Sequence, residues 1–281
     1  MTPKQLLDEA VATLEAGGVA SARNDAEILL SHVLGIPRSM VALTARPLPD
    51  QLVVFRAMVE RRASRVPLQH LIGRAGFRYV DLEVGPGVFV PRPETELLAG
   101  WAIEAAQAVG GPPVVVDLCT GSGAIALSIV DEVPNAVVHA VELDEMALGW
   151  AARNLAGTGV DLRLGDAADA FVDLDGTVDV VVANPPYIPL EAWESVALEA
   201  RDHDPALALW SGEDGLDAIR AIEQTAWRLL KPGGVVGVEH ADAQGESAPA
   251  VFSSAPGHVW RDVRDNVDLA GRPRFVTARK P

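Results

Sequence analysis

Residues 114–130 read VVVDLCTGSGAIALSIV, and this stretch decides the fold. An apolar run broken only by Asp117 is typical of a strand that is buried on both faces of a parallel sheet. The glycine-containing segment 119–123 lets the backbone approach a ligand closely, and it opens onto a helical pattern whose first N–H groups face that ligand. We therefore expect a β-strand, a ligand-binding loop and a helix in succession.

The pattern outward from this stretch indicates an α/β protein. From residue 93 onward, helical and strand patterns alternate, which is the signature of a parallel sheet. The segment 188–214 is polar, acidic and too long for an ordinary connection, so we interpret it as a lid over a pocket. Strands are expected at 114–118, 137–142, 160–164, 178–183, 234–239, 258–263 and 273–278.

The first part of the chain is helical by period. Thr2 caps a helix that stops at Gly17-Gly18, a second helix ends at Gly35, and Pro49 opens a third. Together they predict a small amino-terminal bundle. Residues 76–84 alternate well enough to form a strand or a hairpin that links the bundle to the sheet.

A polar turn, Asn184-Pro185-Pro186-Tyr187, follows the apolar run 178–183 directly. It falls at the carboxyl end of a predicted strand, where open α/β sheets bind ligands. The two prolines fix φ and remove two donors, so the Asn184 side-chain oxygen and the Pro185 carbonyl are left to accept both hydrogens of one –NH2 group. Tyr187 offers an aromatic face to a flat amide or base. The alternative is a tight loop without chemistry.

The glycine loop admits two cofactors. Gly121-x-Gly123-x-x-Ala126 matches a dinucleotide fingerprint, which keeps an NAD-binding domain open. Asp117, however, would repel a pyrophosphate and suits the ammonium of S-adenosylmethionine. Glu142, about twenty residues beyond the loop, stands where an acidic side chain accepts from ribose hydroxyls. Asp166 follows the third predicted strand and would either accept from the adenine amine or cap a helix.

Further motifs connect these residues to a known family. Residues 65–73 read RVPLQHLIG, residues 89–96 read FVPRPETE, and residues 230–234 read LKPGG, before Glu239-His240. With the glycine loop and the Asn-Pro-Pro-Tyr turn, the chain resembles the HemK/PrmC family of protein-glutamine N5-methyltransferases. The resemblance implies a seven-stranded Rossmann-like class I methyltransferase sheet whose last strand is antiparallel. It also implies methyl transfer from S-adenosyl-L-methionine to the glutamine of the Gly-Gly-Gln motif in class I peptide chain release factors, which act in translation termination.

The same resemblance implies a domain division and a role for each site residue. It gives a helical substrate-recognition domain at 1–72, a β-hairpin linker at 73–92 and the methyltransferase domain at 93–281. Asn184, Pro185, Pro186 and Tyr187 would hold the substrate amide, with Asn184 also near the cofactor's methyl group, and Phe89, Arg92 and Glu94 would help to close the pocket. The cofactor would be bound by Asp117, Cys119, Thr120, Gly121, Ser122, Gly123, Glu142, Asp166 and Ala167. One departure concerns the lid, where His203-Asp204-Pro205 replaces the aromatic-Glu-Pro step that family members often show.

Composition weighs against a nucleic-acid substrate. The chain has 281 residues, 49% of them hydrophobic, and 39 acidic against 23 basic residues give a formal charge of −16. A field of that sign repels phosphates. The exception is a run of arginines, which is either a salt-bridged helix face or a docking surface for an RNA-associated or acidic partner. The run consists of Arg56, Arg61, Arg62, Arg65, Arg74 and Arg78.

Cysteine usage and hydropathy bear on location and metals. A single cysteine excludes an intrachain disulfide and suits a reducing cytoplasm. The sequence shows no signal peptide, no membrane span and no Cys/His spacing typical of a metal site, so we expect neither a membrane nor a metal partner. Three rival functions remain open: an adenine-N6 or guanine-N2 methyltransferase, an NAD-dependent oxidoreductase, and a non-catalytic binding module.

Overall fold

The computed structural model describes residues 2–43 and 47–281. The described chain divides into two compact units. The first contains residues up to Arg74 with 84–86 and 197–203, and the second contains 75–83, 87–196 and 204–281.

Four α-helices build most of the first unit among its described residues: α1 Pro3–Ala16, α2 Ala22–Leu34, α3 Pro49–Ala63 and α4 Leu68–Ile72. The predicted cap is confirmed, because the Thr2 hydroxyl accepts from the backbone N–H of Gln5 while the Gln5 side chain accepts from the N–H of Thr2. These reciprocal bonds satisfy two donors that a helix start otherwise leaves unpaired. The second helix ends at Gly35, as predicted, and Gly35 has the left-handed conformation. Buried leucines and Phe55 fill the core of this bundle.

A hairpin follows the bundle. Strands β1 Arg74–Phe77 and β2 Val80–Glu83 form a two-stranded sheet. The prediction of a hairpin over 76–84 is therefore confirmed, with the first strand beginning slightly earlier.

A seven-stranded sheet forms the centre of the second unit in the described residues, and its strand order is β5-β4-β3-β6-β7-β9-β8. Among the described strands of this sheet, β9 alone runs opposite to the others, which confirms the expected antiparallel last strand. The strands are β3 Val114–Leu118, β4 Val137–Glu142, β5 Asp161–Leu164, β6 Val178–Ala183, β7 Leu230–Glu239, β8 Arg261–Val267 and β9 Pro273–Arg279. The α-helices described after the hairpin are α5 Thr95–Gln107, α6 Ala124–Glu132, α7 Glu145–Asn154, α8 Leu198–His203, α9 Asp217–Leu229 and α10 Ser247–Ser253. Of these, α8 belongs to the first unit and the others to the second.

Three strand predictions need correction. The third strand begins at Asp161, one residue late, and β7 begins at Leu230 instead of 234 because Leu230 pairs with Val178 ahead of a register shift. The predicted strand at 258–263 lies at Arg261–Val267. The apolar signal there came from Trp260, whose indole N–H donates to Glu223 in the core instead of extending the sheet. β8 itself is a polar edge strand, so hydropathy does not reveal it.

The strand order creates a crevice. From β3 the chain moves outward through β4 and β5, then crosses to the opposite side of β3 to form β6. Ligands of open α/β sheets bind at such a switch point, outside the carboxyl ends of the strands. Leu118 and Ala183 are register partners, so the glycine loop and the Asn-Pro-Pro-Tyr turn emerge from adjacent strands.

Candidate active site

The loop after β3 is shaped to receive a ligand. Cys119, Gly121 and Gly123 all have positive φ, at 62°, 58° and 84°. A Cβ built on Gly121 would meet no atom within 4 Å, so open space lies beside the backbone there. Gly123 caps α6, whose first N–H groups lack partners within the helix.

Glu142 ties β4 to this loop. Its Oε2 accepts from the N–H of Gly121 at 2.8 Å, and its Oε1 accepts from the N–H groups of Leu143 and Asp144 at 2.9 Å each. Burial raises the pKa of the Glu142 carboxyl, and these three backbone donors oppose that effect. These bonds fix the Glu142 carboxylate beside the loop 119–123. This is the position that we expect for an acceptor of ribose hydroxyls.

Asp117 lies fully buried at the end of β3. Its Oδ2 accepts from the Thr120 hydroxyl at 2.6 Å and from the N–H of Ala126 at 3.2 Å, whereas Oδ1 has no hydrogen-bond partner in the described structure. Burial raises the pKa of Asp117 to about 7, although both bonds lower it. An unpaired buried acceptor is costly, and a cationic ammonium would relieve it. This orphaned oxygen fits the methionine end of S-adenosylmethionine.

The predicted cofactor residues converge around Cys119. Burial raises the pKa of its thiol, and the negative charges of Glu142, Asp117 and Asp166 raise it further. Asp166 is exposed, and its Oδ1 accepts from the N–H of Ala168 at 2.9 Å. The structure forms a turn and not a helix after Asp166, so the helix-cap alternative is wrong. Ala167 packs against the core of the sheet.

The Asn-Pro-Pro-Tyr turn is held rigidly. Asn184 Nδ2 donates to Thr95 Oγ1 at 3.2 Å, which leaves Oδ1 of the same amide available as an acceptor. Gln244 Nε2 donates to the Tyr187 carbonyl at 3.1 Å. Gly215 passes so close to that carbonyl that a Cβ would lie 2.3 Å from it, so only glycine fits. The predicted –NH2 acceptor therefore sits on a braced turn.

Two further buried residues support this turn, and sequence reasoning assigned no role to either. Thr95 is 4% exposed and Glu239 is 1% exposed. The Tyr187 hydroxyl donates to Glu239 Oε1 at 3.3 Å, and the Thr95 hydroxyl lies beside the same carboxyl. Thr95 lies in the motif at 89–96 and Glu239 in the motif at 239–240. The motifs could have pointed to both residues, but the sequence alone gives no role for either side chain.

Phe89 and Arg92, which we expect to help close the pocket, lie together, whereas the third such residue, Glu94, lies at the start of α5. The Arg92 guanidinium lies 4.8 Å from the centre of the Phe89 ring, a cation–π contact, and donates to Asp204 Oδ2 at 2.6 Å. Asp204 therefore supplies a carboxylate at the position where the family pattern has Glu. Burial raises its pKa to about 6, and the Arg92 charge opposes this. Glu94 is exposed at the start of α5 and acts on Glu239 through its charge.

The segment predicted as a lid has structure of its own. Backbone bonds join Ile188 to Leu209 and Ser211 at its base, and α8 lies within it. Glu199 of α8 belongs to the first compact unit, where its carboxylate accepts from Arg62 at 3.2 Å and from Arg65 at 2.6 Å.

Ion pairs occupy much of the arginine run. Besides the two that contact Glu199, Arg56 pairs with Glu9 and Arg78 with Glu132, and Arg62 also donates to buried Asp25. These pairs favour the salt-bridged interpretation over a basic docking surface. Within the described residues no cluster of His, Cys, Asp and Glu could hold a metal ion. No described helix has the length and apolarity that a membrane crossing requires.

The sheet, the glycine loop, Glu142 and the Asn-Pro-Pro-Tyr turn define a class: the chain is an S-adenosylmethionine-dependent methyltransferase. It matches the PrmC N-terminal domain over residues 5–73 and the methyltransferase small domain over residues 105–200. The release factor glutamine methyltransferase of Streptomyces coelicolor is 58% identical over 97% of this chain and 96% of that protein. That of Mycolicibacterium smegmatis is 48% identical over 98% of this chain and 96% of that protein. The chain therefore belongs to the release factor glutamine methyltransferase family.

Another relative carries a different name. A 4-amino-L-phenylalanine/4-methylamino-L-phenylalanine methyltransferase of Streptomyces pristinaespiralis is 44% identical over 89% of this chain and 87% of that protein. Membership of a methyltransferase family excludes the NAD-dependent oxidoreductase and the non-catalytic module as functions.

Proposed function

We propose that the chain methylates the side-chain amide nitrogen of a release factor glutamine, in the Gly-Gly-Gln motif of class I factors. The observation that carries the proposal is the Asn184 amide, which turns its nitrogen to Thr95 and its oxygen away, at the switch point of the sheet. An amide –NH2 is a donor and needs such an acceptor. The membership in the release factor glutamine methyltransferase family supports the choice of glutamine.

We also propose which residues bind the cofactor. We assign the methionine and ribose portion of S-adenosylmethionine to the loop 119–123, its ammonium to Asp117, its ribose to Glu142 and its adenine to Asp166 with Ala167. The buried unpartnered oxygen of Asp117 and the open space at Gly121 support this assignment. When bound, the cofactor supplies an electrophilic methyl group on sulfur.

The protein contributes position and polarisation to the transfer. The Asn184 oxygen and the Pro185 carbonyl accept the two amide hydrogens, which orients the nitrogen lone pair toward the methyl carbon and opposes its delocalisation. S-adenosylmethionine bound by these residues would supply the methyl group and would leave as S-adenosyl-L-homocysteine, while the methylated amide nitrogen would lose one proton to water. Tyr187 and Pro186 complete the wall of the amide site. Phe89, Arg92 and Glu94 close it from the side.

Substrate docking belongs to the amino-terminal part of the chain in this proposal. We assign recognition of the release factor to residues 1–72, a linker role to 73–92 and catalysis to 93–281. The family-model match over residues 5–73 supports a distinct module there. We place the reaction in the cytoplasm with translation termination, and we propose that neither nucleic acid nor membrane is a substrate.

A second candidate is N-methylation of a free aromatic amine such as 4-amino-L-phenylalanine. The relative from Streptomyces pristinaespiralis favours it, and an arylamine presents the same donor pair to Asn184 and Pro185. It would need a pocket for a free amino acid, whereas a glutamine in a protein loop needs an open cleft.

One experiment separates these substrates. The protein is incubated with methyl-labelled S-adenosylmethionine and, in separate reactions, purified class I release factor, 4-amino-L-phenylalanine, RNA or DNA. We expect the label on the glutamine of the Gly-Gly-Gln peptide and none on a release factor in which that glutamine is replaced by asparagine. Label on the arylamine or on nucleic acid instead would overturn the proposal.

A further inference from the structure

A network of side chains that includes buried Thr95 and Glu239 supports the Asn184 amide. Asn184 Nδ2 donates to Thr95 Oγ1 at 3.2 Å, and the Thr95 hydroxyl lies beside the carboxyl of Glu239. Tyr187 donates its own hydroxyl to Glu239 Oε1 at 3.3 Å. Thr95 and Glu239 are 4% and 1% exposed. We therefore expect both to act on a substrate only through Asn184 and Tyr187.

The polarity of this network follows from its carboxyl group. An ionised carboxylate is an acceptor only, so hydroxyls beside it turn their protons toward it. Once the Thr95 proton points at Glu239, the oxygen of Thr95 can only accept from Asn184. The Asn184 amide must then turn its nitrogen inward and its oxygen outward. A reversed amide would present a donor to the site and would suit a carbonyl or carboxylate oxygen instead of an –NH2 group.

We propose that Thr95 and Glu239 are positioning residues that fix the orientation of the Asn184 amide, so that the site accepts hydrogen bonds from, and thereby selects, a substrate with an –NH2 group. The inference rests on the proposed function, because it deepens the role of the same amide site. It assigns the selectivity between nitrogen and oxygen to two residues that do not contact the substrate.

Two hydroxyls and two charged groups act on Glu239. Tyr187 and Thr95 approach it as hydroxyls, Arg274 of β9 contributes a positive charge, and Glu94 contributes a negative one. Its Oε2 is buried without a hydrogen-bond partner in the described structure. Burial therefore dominates and raises the pKa of Glu239 to about 7, against the lowering effects of Thr95, Arg274 and Tyr187. Below that pH a protonated Glu239 can itself donate, and the network loses its fixed polarity.

The test uses the full chain with a release factor substrate. Thr95→Val keeps the shape and removes the hydroxyl, and we expect kcat to fall by roughly ten- to a hundredfold. The Kd of S-adenosylmethionine should stay within about twofold, because Thr95 does not line the cofactor loop. Thr95→Ser restores a hydroxyl and should recover turnover to within about fivefold. The matched control is Thr177→Val, at an exposed position before β6 whose hydroxyl donates to the Leu174 carbonyl.

Glu239→Gln supplies the second readout. A glutamine carries a donor as well as an acceptor and does not titrate, so kcat should fall at pH 8 and lose its decline between about pH 7.5 and 6. The inference is overturned if Thr95→Val keeps wild-type kcat. It is also overturned if the loss in that variant comes with weakened cofactor binding and a lowered Tm that Thr95→Ser does not rescue. Failure of the proposed function is distinct, since the wild-type protein would then leave the release factor glutamine unmethylated.

Discussion

At the residue scale, buried carboxyl groups set the chemistry of the site. Burial is the first cause of the raised pKa values of Asp117, Glu142 and Glu239. The three carboxyl groups differ in their hydrogen-bond partners. Glu142 accepts from three backbone N–H groups, whereas Asp117 and Glu239 each retain one oxygen without a partner in the described structure. A buried acceptor without a partner is costly, so a cation or a hydroxyl placed beside either oxygen would be stabilising.

Asn184→Ala should separate chemistry from cofactor binding. Loss of the amide removes one of two acceptors for the substrate –NH2 group, so kcat should fall by roughly a hundredfold or more. The Kd of S-adenosylmethionine, measured by calorimetry, should change by less than about threefold, because the loop and Glu142 are untouched. Asn135→Ala, at an exposed position outside the site, is the control. Wild-type turnover in Asn184→Ala would show that the acceptor assignment is incorrect.

Asp117 should make cofactor binding depend on pH. The ammonium of S-adenosylmethionine favours the ionised carboxylate, so binding lowers a pKa that is about 7 in the free protein. Affinity should therefore rise with pH up to about 7, by at most about tenfold per pH unit, and fall again where the cofactor's amine loses its proton, at about 8. Calorimetry from pH 5.5 to 9 should show this bell shape.

The variant Asp117→Asn tests which side of the bell-shaped pH profile reports the titration of a protein group. It should lose the acid limb and keep the basic one, since only the cofactor's amine still titrates. An unchanged acid limb would assign the titration to another group. A matched control is Asp173→Asn, because Asp173 is exposed, pairs with Arg163 and lies outside the proposed cofactor site.

At the element scale, the close approach of α5 to β7 brings Thr95 beside Glu239. Trp101 of α5 packs on Gly237 of β7, where a Cβ would lie 2.4 Å from the indole ring. A strand residue with no side chain is what allows the helix to settle there. Thr95 and Glu239 lie on these same two elements, so the spacing of α5 over β7 also sets the distance within the network.

Gly237→Ala should disturb both stability and catalysis. The added methyl must push α5 outward, at a cost of about 1–3 kcal/mol in the free energy of unfolding. Turnover should fall as the contact between Thr95 and Glu239 opens, while the Kd of the cofactor changes little. Urea unfolding and single-turnover methylation measure the two effects.

Gly149→Ala is the matched control for that substitution. Gly149 is exposed on α7, has ordinary helical φ, and its Cβ would meet nothing within 4 Å. Alanine should therefore stabilise the protein by about 0.5–1 kcal/mol and leave turnover unchanged. Equal stability changes in the two variants would show that Gly237 does not limit the helix position.

At the scale of the whole molecule, the sequence predicts what is local and misses what is distant. The central strands were found because β3 and β6 are buried on both faces, and the Asn-Pro-Pro-Tyr turn follows its strand directly. The edge strand β8 was misplaced because its side chains are largely exposed or half-buried. Thr95 contacts Asn184 across 89 residues and Tyr187 contacts Glu239 across 52, and no pattern of spacing reports such pairs.

The charge distribution over the whole chain predicts that the protein does not bind nucleic acid. The formal charge is −16, and the arginines that could have offset it locally are largely engaged by carboxylates of the same chain. Non-specific binding requires cations free to replace the counterions of the phosphates. Labelled RNA and duplex DNA should therefore show no saturable anisotropy change up to about 100 μM protein, even at 50 mM salt. A basic RNA-binding domain in the same buffer verifies the assay. Micromolar affinity that falls steeply with salt would make nucleic acid a possible substrate again, because the Asn184 oxygen would accept from an exocyclic amine equally well.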